Sequence, residues 1–320
     1  MIDEKAAADF AERLKMAQQG DAETQFKLGL CLFEGQGVQQ NRKKAVKWFE
    51  QAAKQGHAGA QLKLGLCYAN GAGVLRNRAK ALEWIGKAAD QGHDEAQLDL
   101  GLCYAYGDGV KEDYIKSLEW FERSANQGNS QALFSIGTIY FYGRGVTRDY
   151  SRAVEWFHRA AQKGNTDAEY NLGLCYEEGM GVEQDYAKAV GWYEIAAKKE
   201  AADAQNNLGN CYKNGRGVEQ DYARAVEWYE KAAMQGAPIA QCNLGTCYYK
   251  GQGVEQSYVK GVAWFEKAAR QGFAGAQYNL GLCYLDAEGV KYNKAKAVMW
   301  LEAAASQGDA DAKRVLRELS

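Results

Sequence analysis

The chain has one proline, Pro238, in 320 residues, and three histidines, His57, His93 and His158. So few helix breakers leave room for much helix. The histidines show no H-E-x-x-H or other metal-ligand spacing, and no C-x-x-C pair occurs among the eight cysteines. No metal site, cofactor or catalytic residue is therefore expected. An excess of one charge is also missing. Lys and Arg number 39 against 41 Asp and Glu, a formal net charge of −2. That balance argues against broad electrostatic binding of nucleic acid or an anionic membrane. No apolar run approaches the ~18–20 residues needed to cross a bilayer, so membrane insertion is not expected. The first twenty residues lack the apolar segment of a secretory signal.

Glycine is abundant, with 36 copies, and it is periodic. Tryptophan falls at Trp48, Trp84, Trp120, Trp156, Trp192, Trp228, Trp264 and Trp300, always 36 apart. Gly29, Gly65, Gly101, Gly137, Gly173, Gly209, Gly245 and Gly281 keep the same period. Self-similarity at this length signals a stack of supersecondary units. Eight units fill residues 21–308 without insertion or deletion.

Each unit reads as two helices. In the fifth, the first helix is expected over Asp167–Glu178, apolar around much of its circumference. The second is expected over Tyr186–Lys198, with Ala189, Val190, Trp192, Tyr193, Ala196 and Ala197 at helical spacing. Asn41, Asn77, Asp113, Asp149, Asp185, Asp221, Ser257 and Asn293 precede the eight second helices and can each accept an orphan N–H. G-x-G-V loops close the first helices, where glycine can turn left-handed. A glycine inside a helix costs ~1 kcal/mol, so its recurrence calls for close approach of the second helix. Residues 1–20 match a second helix, with Phe10, Leu14 and Ala17 on one face, and residues 309–320 match a first helix. These half-units should cap the stack.

The pattern A-x-x-x-L-G-x-C-Y-x-x-G-x-G-V-x-x-D-Y-x-K-A-V-x-W-Y-x-K-A-A-x-Q-G resembles the Sel-one-like repeat, a relative of the tetratricopeptide repeat. The resemblance implies an all-α, right-handed α-solenoid of eight 36-residue helix-turn-helix repeats, with first helices lining a concave face. It further implies an adaptor or scaffold that binds a protein or peptide, not an enzyme. A structural spacer within a larger assembly, an enzyme and a small-ligand binder are the alternatives.

Individual residues refine this. Seven cysteines recur at the repeat period, ~8–10 Å apart by helix packing. That is too far for disulfides, which need Cα atoms within ~7 Å. They read as small buried fillers, and reduced thiols suit a cytoplasmic location. The tryptophans read as core. Glu200 stands where other units use glycine, so either its helix runs on or Glu200 bears strain. Binding residues should vary between units while packing residues repeat. That criterion selects Phe33, Tyr106, Phe141, Tyr142, Glu177, Lys213 and Tyr249 as partner-binding candidates, with the aromatics of the first half as the primary site. Core packing is the competing reading for Phe33, Tyr106, Phe141 and Tyr142. A monomer is expected.

Overall fold

The computed structural model describes residues 4–319, with side chains described from Phe10. Residues 1–3 and 320 of the two expected caps lie outside the described residues. Among the described residues there are 18 helices and no strand, an α-solenoid of eight helix pairs flanked by single helices. The chain divides into two compact units, residues 1–165 and 166–320.

Unit 1 holds the N-terminal helix and four pairs: α1 (Glu4–Gln18), α2 (Ala22–Glu34), α3 (Arg42–Lys54), α4 (Ala58–Asn70), α5 (Arg78–Asp90), α6 (Asp94–Tyr106), α7 (Tyr114–Asn126), α8 (Ser130–Tyr142) and α9 (Tyr150–Gln162). Unit 2 holds four more pairs and the C-terminal helix: α10 (Thr166–Glu178), α11 (Tyr186–Lys198), α12 (Ala202–Asn214), α13 (Tyr222–Met234), α14 (Pro238–Lys250), α15 (Tyr258–Arg270), α16 (Ala274–Asp286), α17 (Lys294–Ser306) and α18 (Ala310–Leu319). The end helices pack on the neighbouring core clusters. Ala17 is fully buried, with Phe10 and Leu14 packed on the first cluster. Ala312 is fully buried at the other end.

The caps act where the sequence places them. Every second helix begins at its Asn, Asp or Ser, whose side chain accepts a backbone N–H three residues on. The helix-interior glycines are explained by a large side chain opposite. A Cβ on Gly101 would lie 2.5 Å from the Phe121 ring, and one on Gly173 would lie 2.3 Å from the Tyr193 ring. Phe121, Tyr193 and their equivalents fill the gap between the paired helices and are almost wholly buried.

One expectation needs adjustment. The tryptophans are half-buried, not core. They flank the buried clusters, and five have a cation over the ring from the residue three positions on, as with Lys87 over Trp84 at 4.2 Å and Arg123 over Trp120 at 4.3 Å. One ring face packs and the other is shielded by an amphipathic side chain. Of the two outcomes open for Glu200, helix α11 stops in register at Lys198, and Glu200 takes φ 65°. Ala287 does the same at the end of α16, with φ 58°.

Candidate functional site

The candidate residues lie at the C-terminal ends of the first helices. In unit 1, Tyr106 ends α6 and Tyr142 ends α8, and they are 70% and 60% exposed. Phe33 and Phe141 are half-buried. Phe141 meets Tyr142 and Tyr150 edge-on, with centroids 5.1 Å away in each case. Phe33 lies 6.0 Å from the buried Phe49. The rival readings therefore divide between residues: the two phenylalanines pack partly into the core, while the two tyrosines face solvent. A cleft of about 110 Å³ opens between α6 and α8, lined among others by Leu102, Tyr106, Phe134, Thr138 and Arg144. Arg144 also lies 5.1 Å from the Tyr142 ring centroid.

Unit 2 places its candidates differently. Glu177 accepts a hydrogen bond from the Tyr193 hydroxyl at 2.6 Å, and Arg216 of the next repeat approaches it at 3.7 Å. Its side chain is 15% exposed. Burial, then the bond to Glu177, pushes the Tyr193 hydroxyl far above the ordinary tyrosine range. Lys213 is half-buried. The Tyr249 hydroxyl donates to Glu288 of the next repeat, and its ring stands 4.9 Å from Tyr258. Glu177 and Tyr249 thus tie one repeat to the loop of the next. Of the seven candidates, Tyr106 and Tyr142 alone present a mostly exposed ring.

Several features escape a pattern reading based on variability. Gln61 donates to the Ala53 carbonyl at 3.1 Å and accepts from Gln91 at 2.6 Å. The same pair, a buried glutamine with an exposed one, recurs as Gln25–Gln55, Gln97–Gln127, Gln205–Gln235, Gln241–Gln271 and Gln277–Gln307. The constant spacing of these glutamines was available as a signal. In the fifth repeat the pair is Glu169–Lys199, with N–O 2.6 Å. Glu169 is 3% exposed, and its Oε2 is buried without a partner. Asp99, on α6, is pushed up to about 6, first by burial and then by Glu95, with Lys63 opposing.

Other chemistry-bearing groups have structural roles. His57 caps α4: its Nδ1 accepts from the Ala60 N–H at 3.0 Å, while Nε2 lies 2.8 Å from Glu23. All eight cysteines are free thiols. Burial pushes Cys67 up to about 11 and Cys175 up to about 12, which keeps them protonated and poorly nucleophilic. No group of three His, Cys, Asp or Glu that could hold a metal occurs among the described residues. Among the described residues, no helix is long and apolar enough to cross a membrane. A depression of about 510 Å³ lies beside Trp228, Lys231 and Met234. It is walled by the Lys231–Trp228 stack, with the cation 3.9 Å from the ring centroid.

Comparison with known proteins adds the lineage of this arrangement. The Sel1 repeat matches eight times, over residues 22–57, 58–93, 94–129, 130–165, 166–200, 202–236, 238–273 and 274–309. Among solved structures, the chain is similar to c5321, a protective antigen present in uropathogenic Escherichia coli strains displaying an SLR fold. Identity is 37%, the match covers 97% of this chain and 67% of that one, and the TM-score is 0.86. A Sel1 repeat protein from Oxalobacter formigenes is 37% identical over 97% of this chain and 90% of its own, with TM-score 0.74. No curated protein matches.

Proposed function

The chain belongs to the Sel1 repeat family, and from that premise we propose that it is a scaffold holding a peptide or protein partner on the concave face of its first helices, centred on Tyr106 and Tyr142. Sel1 and tetratricopeptide-like repeats are generally protein-interaction scaffolds. One observation carries the finer reading: two large rings stand exposed on adjacent first helices beside a small apolar cleft. Exposed aromatics on a rigid frame give contact area at little entropic cost, and a few such anchors carry most of an interface's affinity. Phe134 and Leu102 offer the cleft's apolar wall, and Arg144 offers a polar rim.

On this reading the chain is a monomer and non-catalytic, and its ionisable candidates serve the frame. Glu177 and Tyr249 are held by Tyr193 and Glu288. The eight free thiols support a reducing, cytoplasmic setting. The test uses a partner recovered from the native host and then purified. Tyr106→Ala with Tyr142→Ala should weaken its binding by at least about tenfold, the scale of two interface anchors. Far-ultraviolet circular dichroism should be unchanged, since both rings face solvent. Undiminished binding by this double variant would overturn the aromatic site and leave the family assignment untouched.

A further inference from the structure

Two departures from the repeat meet at one place in unit 2. Glu200 stands where every other second helix, α1 included, is followed by glycine. It takes φ 65°, a left-handed conformation that is costly for a residue with a Cβ. Met234 is 83% exposed at a position that is polar or charged in every other repeat, as with Lys198 and Arg270 on either side. Both side chains are exposed, so core packing calls for neither. Both line the depression of about 510 Å³ where α11 and α13 end, together with Lys198, Trp228, Lys231 and Gln235. Backbone strain that a glycine would remove points to a role at that surface.

The charged groups of the depression are unpaired. Among the described residues, no carboxylate pairs with Lys198 or Lys231, and no cation pairs with Glu200. Lys231 lies over Trp228, 3.9 Å from the ring centroid, which keeps its ammonium beside the indole. The turn is also unlatched. In three repeats the exposed glutamine donates to the carbonyl of the preceding turn: Gln127 to Gly92 at 2.9 Å, Gln271 to Gly236 at 3.0 Å and Gln307 to Gly272 at 2.9 Å. Gln235 donates to Gln205 at 2.9 Å and not to the Glu200 carbonyl. An amide carries two donor protons, so one N–H of Gln235 stays available at the rim.

These groups define an occupant. Two ammonium groups and an amide N–H suit a carboxylate. The Glu200 carboxylate suits an ammonium. Trp228 and Met234 suit an apolar body, because indole and thioether both pack well against one. A volume of about 510 Å³ falls within the ~300–1,000 Å³ of small-molecule sites. We propose that the depression binds a small zwitterion with a large apolar side chain, a free α-amino acid or a short peptide. Its carboxylate lies against Lys198, Lys231 and the Gln235 amide, its ammonium against Glu200, and its side chain against Trp228 and Met234. The strain at Glu200 then has a purpose, since it sets a carboxylate at a turn that glycine would leave bare. This site is separate from the tyrosines of unit 1 and does not rest on them.

The test follows the methionine methyl groups of the full-length, selectively labelled protein by NMR. The chain has five methionines, and Met234→Leu assigns the Met234 signal. The probes are phenylalanine and the dipeptide Ala-Phe, each also prepared with its amine acetylated and, separately, with its carboxylate amidated. The expected result is a saturable Met234 shift with an unmodified probe, and at least about threefold weaker binding after either modification, the scale of one partly exposed charge contact. The tighter of the two unmodified probes identifies the source as a free amino acid or a peptide. Glu200→Gly restores the residue of the other repeats. It should weaken the unmodified probe by a similar factor and leave the acetylated one unchanged. Lys198→Gln with Lys231→Gln should likewise weaken the unmodified probe and spare the amidated one. Absence of a Met234 shift at millimolar probe overturns the proposal. Equal binding of the modified probes also overturns it, and would reduce the site to apolar contact with Trp228 and Met234. So do shifts of equal size at the other methionines, which would show association without a site.

Discussion

At one polar pair per repeat, unit 1 uses Gln25–Gln55, Gln61–Gln91 and Gln97–Gln127 and has Leu133 and Lys163 instead in its fourth repeat, whereas unit 2 begins with Glu169–Lys199 before returning to glutamine. The geometry barely changes: Gln61–Gln91 and Glu169–Lys199 both span 2.6 Å. The chemistry does change. A glutamine both donates to a carbonyl eight residues back and accepts from its partner. A carboxylate can only accept, and Glu169 Oε2 has no partner. One position of the first helices differs as well, charged or hydroxylic in unit 1 (Lys27, Lys63, Asp99, Ser135) and asparagine in unit 2 (Asn171, Asn207, Asn243, Asn279). One backbone plan thus accepts two kinds of polar closure, provided that each buried charge keeps its counter-charge.

The largest test of that difference is removal of the second member of the pair in each unit. Lys199→Met should cost unit 2 about 3–5 kcal/mol, because it strands a buried carboxylate. Gln91→Met should cost unit 1 only about 1 kcal/mol, the scale of a neutral hydrogen bond. Urea unfolding of the full chain measures both. Equal losses would show that Glu169 gains nothing from Lys199 beyond an ordinary hydrogen bond. The double change Glu169→Gln with Lys199→Gln should recover most of the loss by restoring the pattern of the other repeats.

A second test brings unit 1 towards unit 2 at the position where unit 2 has asparagine. Asp99 titrates near 6 in the folded protein, above the ~3.9 of an unfolded aspartate. An acid whose folded value is raised binds protons more readily when folded. Its contribution is therefore neutral below about pH 4, worsens as pH rises towards 6 and is fully unfavourable above that. Asp99→Asn should stabilise the protein at pH 7 by about 1–3 kcal/mol, with the gain vanishing at pH 4. Thermal melts at the two pH values decide it. A gain that persists at pH 4 would trace to helix propensity and not to ionisation.

Much of the fold was legible because each signal was repeated eight times. The capping residues and the G-x-G-V loops are local requirements of backbone geometry, the helix-interior glycine answers the large side chain opposite, and each position returned the structure expected of it. The site was less legible, because variability alone does not separate a residue facing a partner from one bonded to the neighbouring repeat. Glu177 varies because the residue opposite it, Tyr193, brings a hydroxyl that needs an acceptor. The equivalent Ala105 lies across from Phe121, which brings none. Reading those two positions together, one on each helix of the pair, would have exposed the link. Trp192 and its equivalents misled for a related reason. Their phase places them beside the core, but whether the outer face is buried depends on the cation three residues on.

The smallest effect concerns the turn after the second helix, where unit 1 has Gly92 with φ 88° and unit 2 has Glu200 with φ 65°. A left-handed residue with a Cβ costs ~1–2 kcal/mol. Glycine removes that strain but gives the unfolded chain more freedom, which costs about 0.4–1 kcal/mol. Strain is the larger quantity, so Glu200→Gly should stabilise the protein by a net ~0.5–1 kcal/mol. Gly92→Ala should do the reverse by a similar amount. No atom lies within 4 Å of the Cβ position at Gly92, so the change there reads backbone strain without a steric clash. Glu200 also borders the depression at Trp228, and glycine would forfeit whatever contact its exposed side chain makes there. Paired urea titrations of the two variants separate these contributions. Opposite shifts of equal size identify the left-handed backbone as the common cause. A loss of stability in Glu200→Gly would show instead that the packing of Glu200 outweighs its strain.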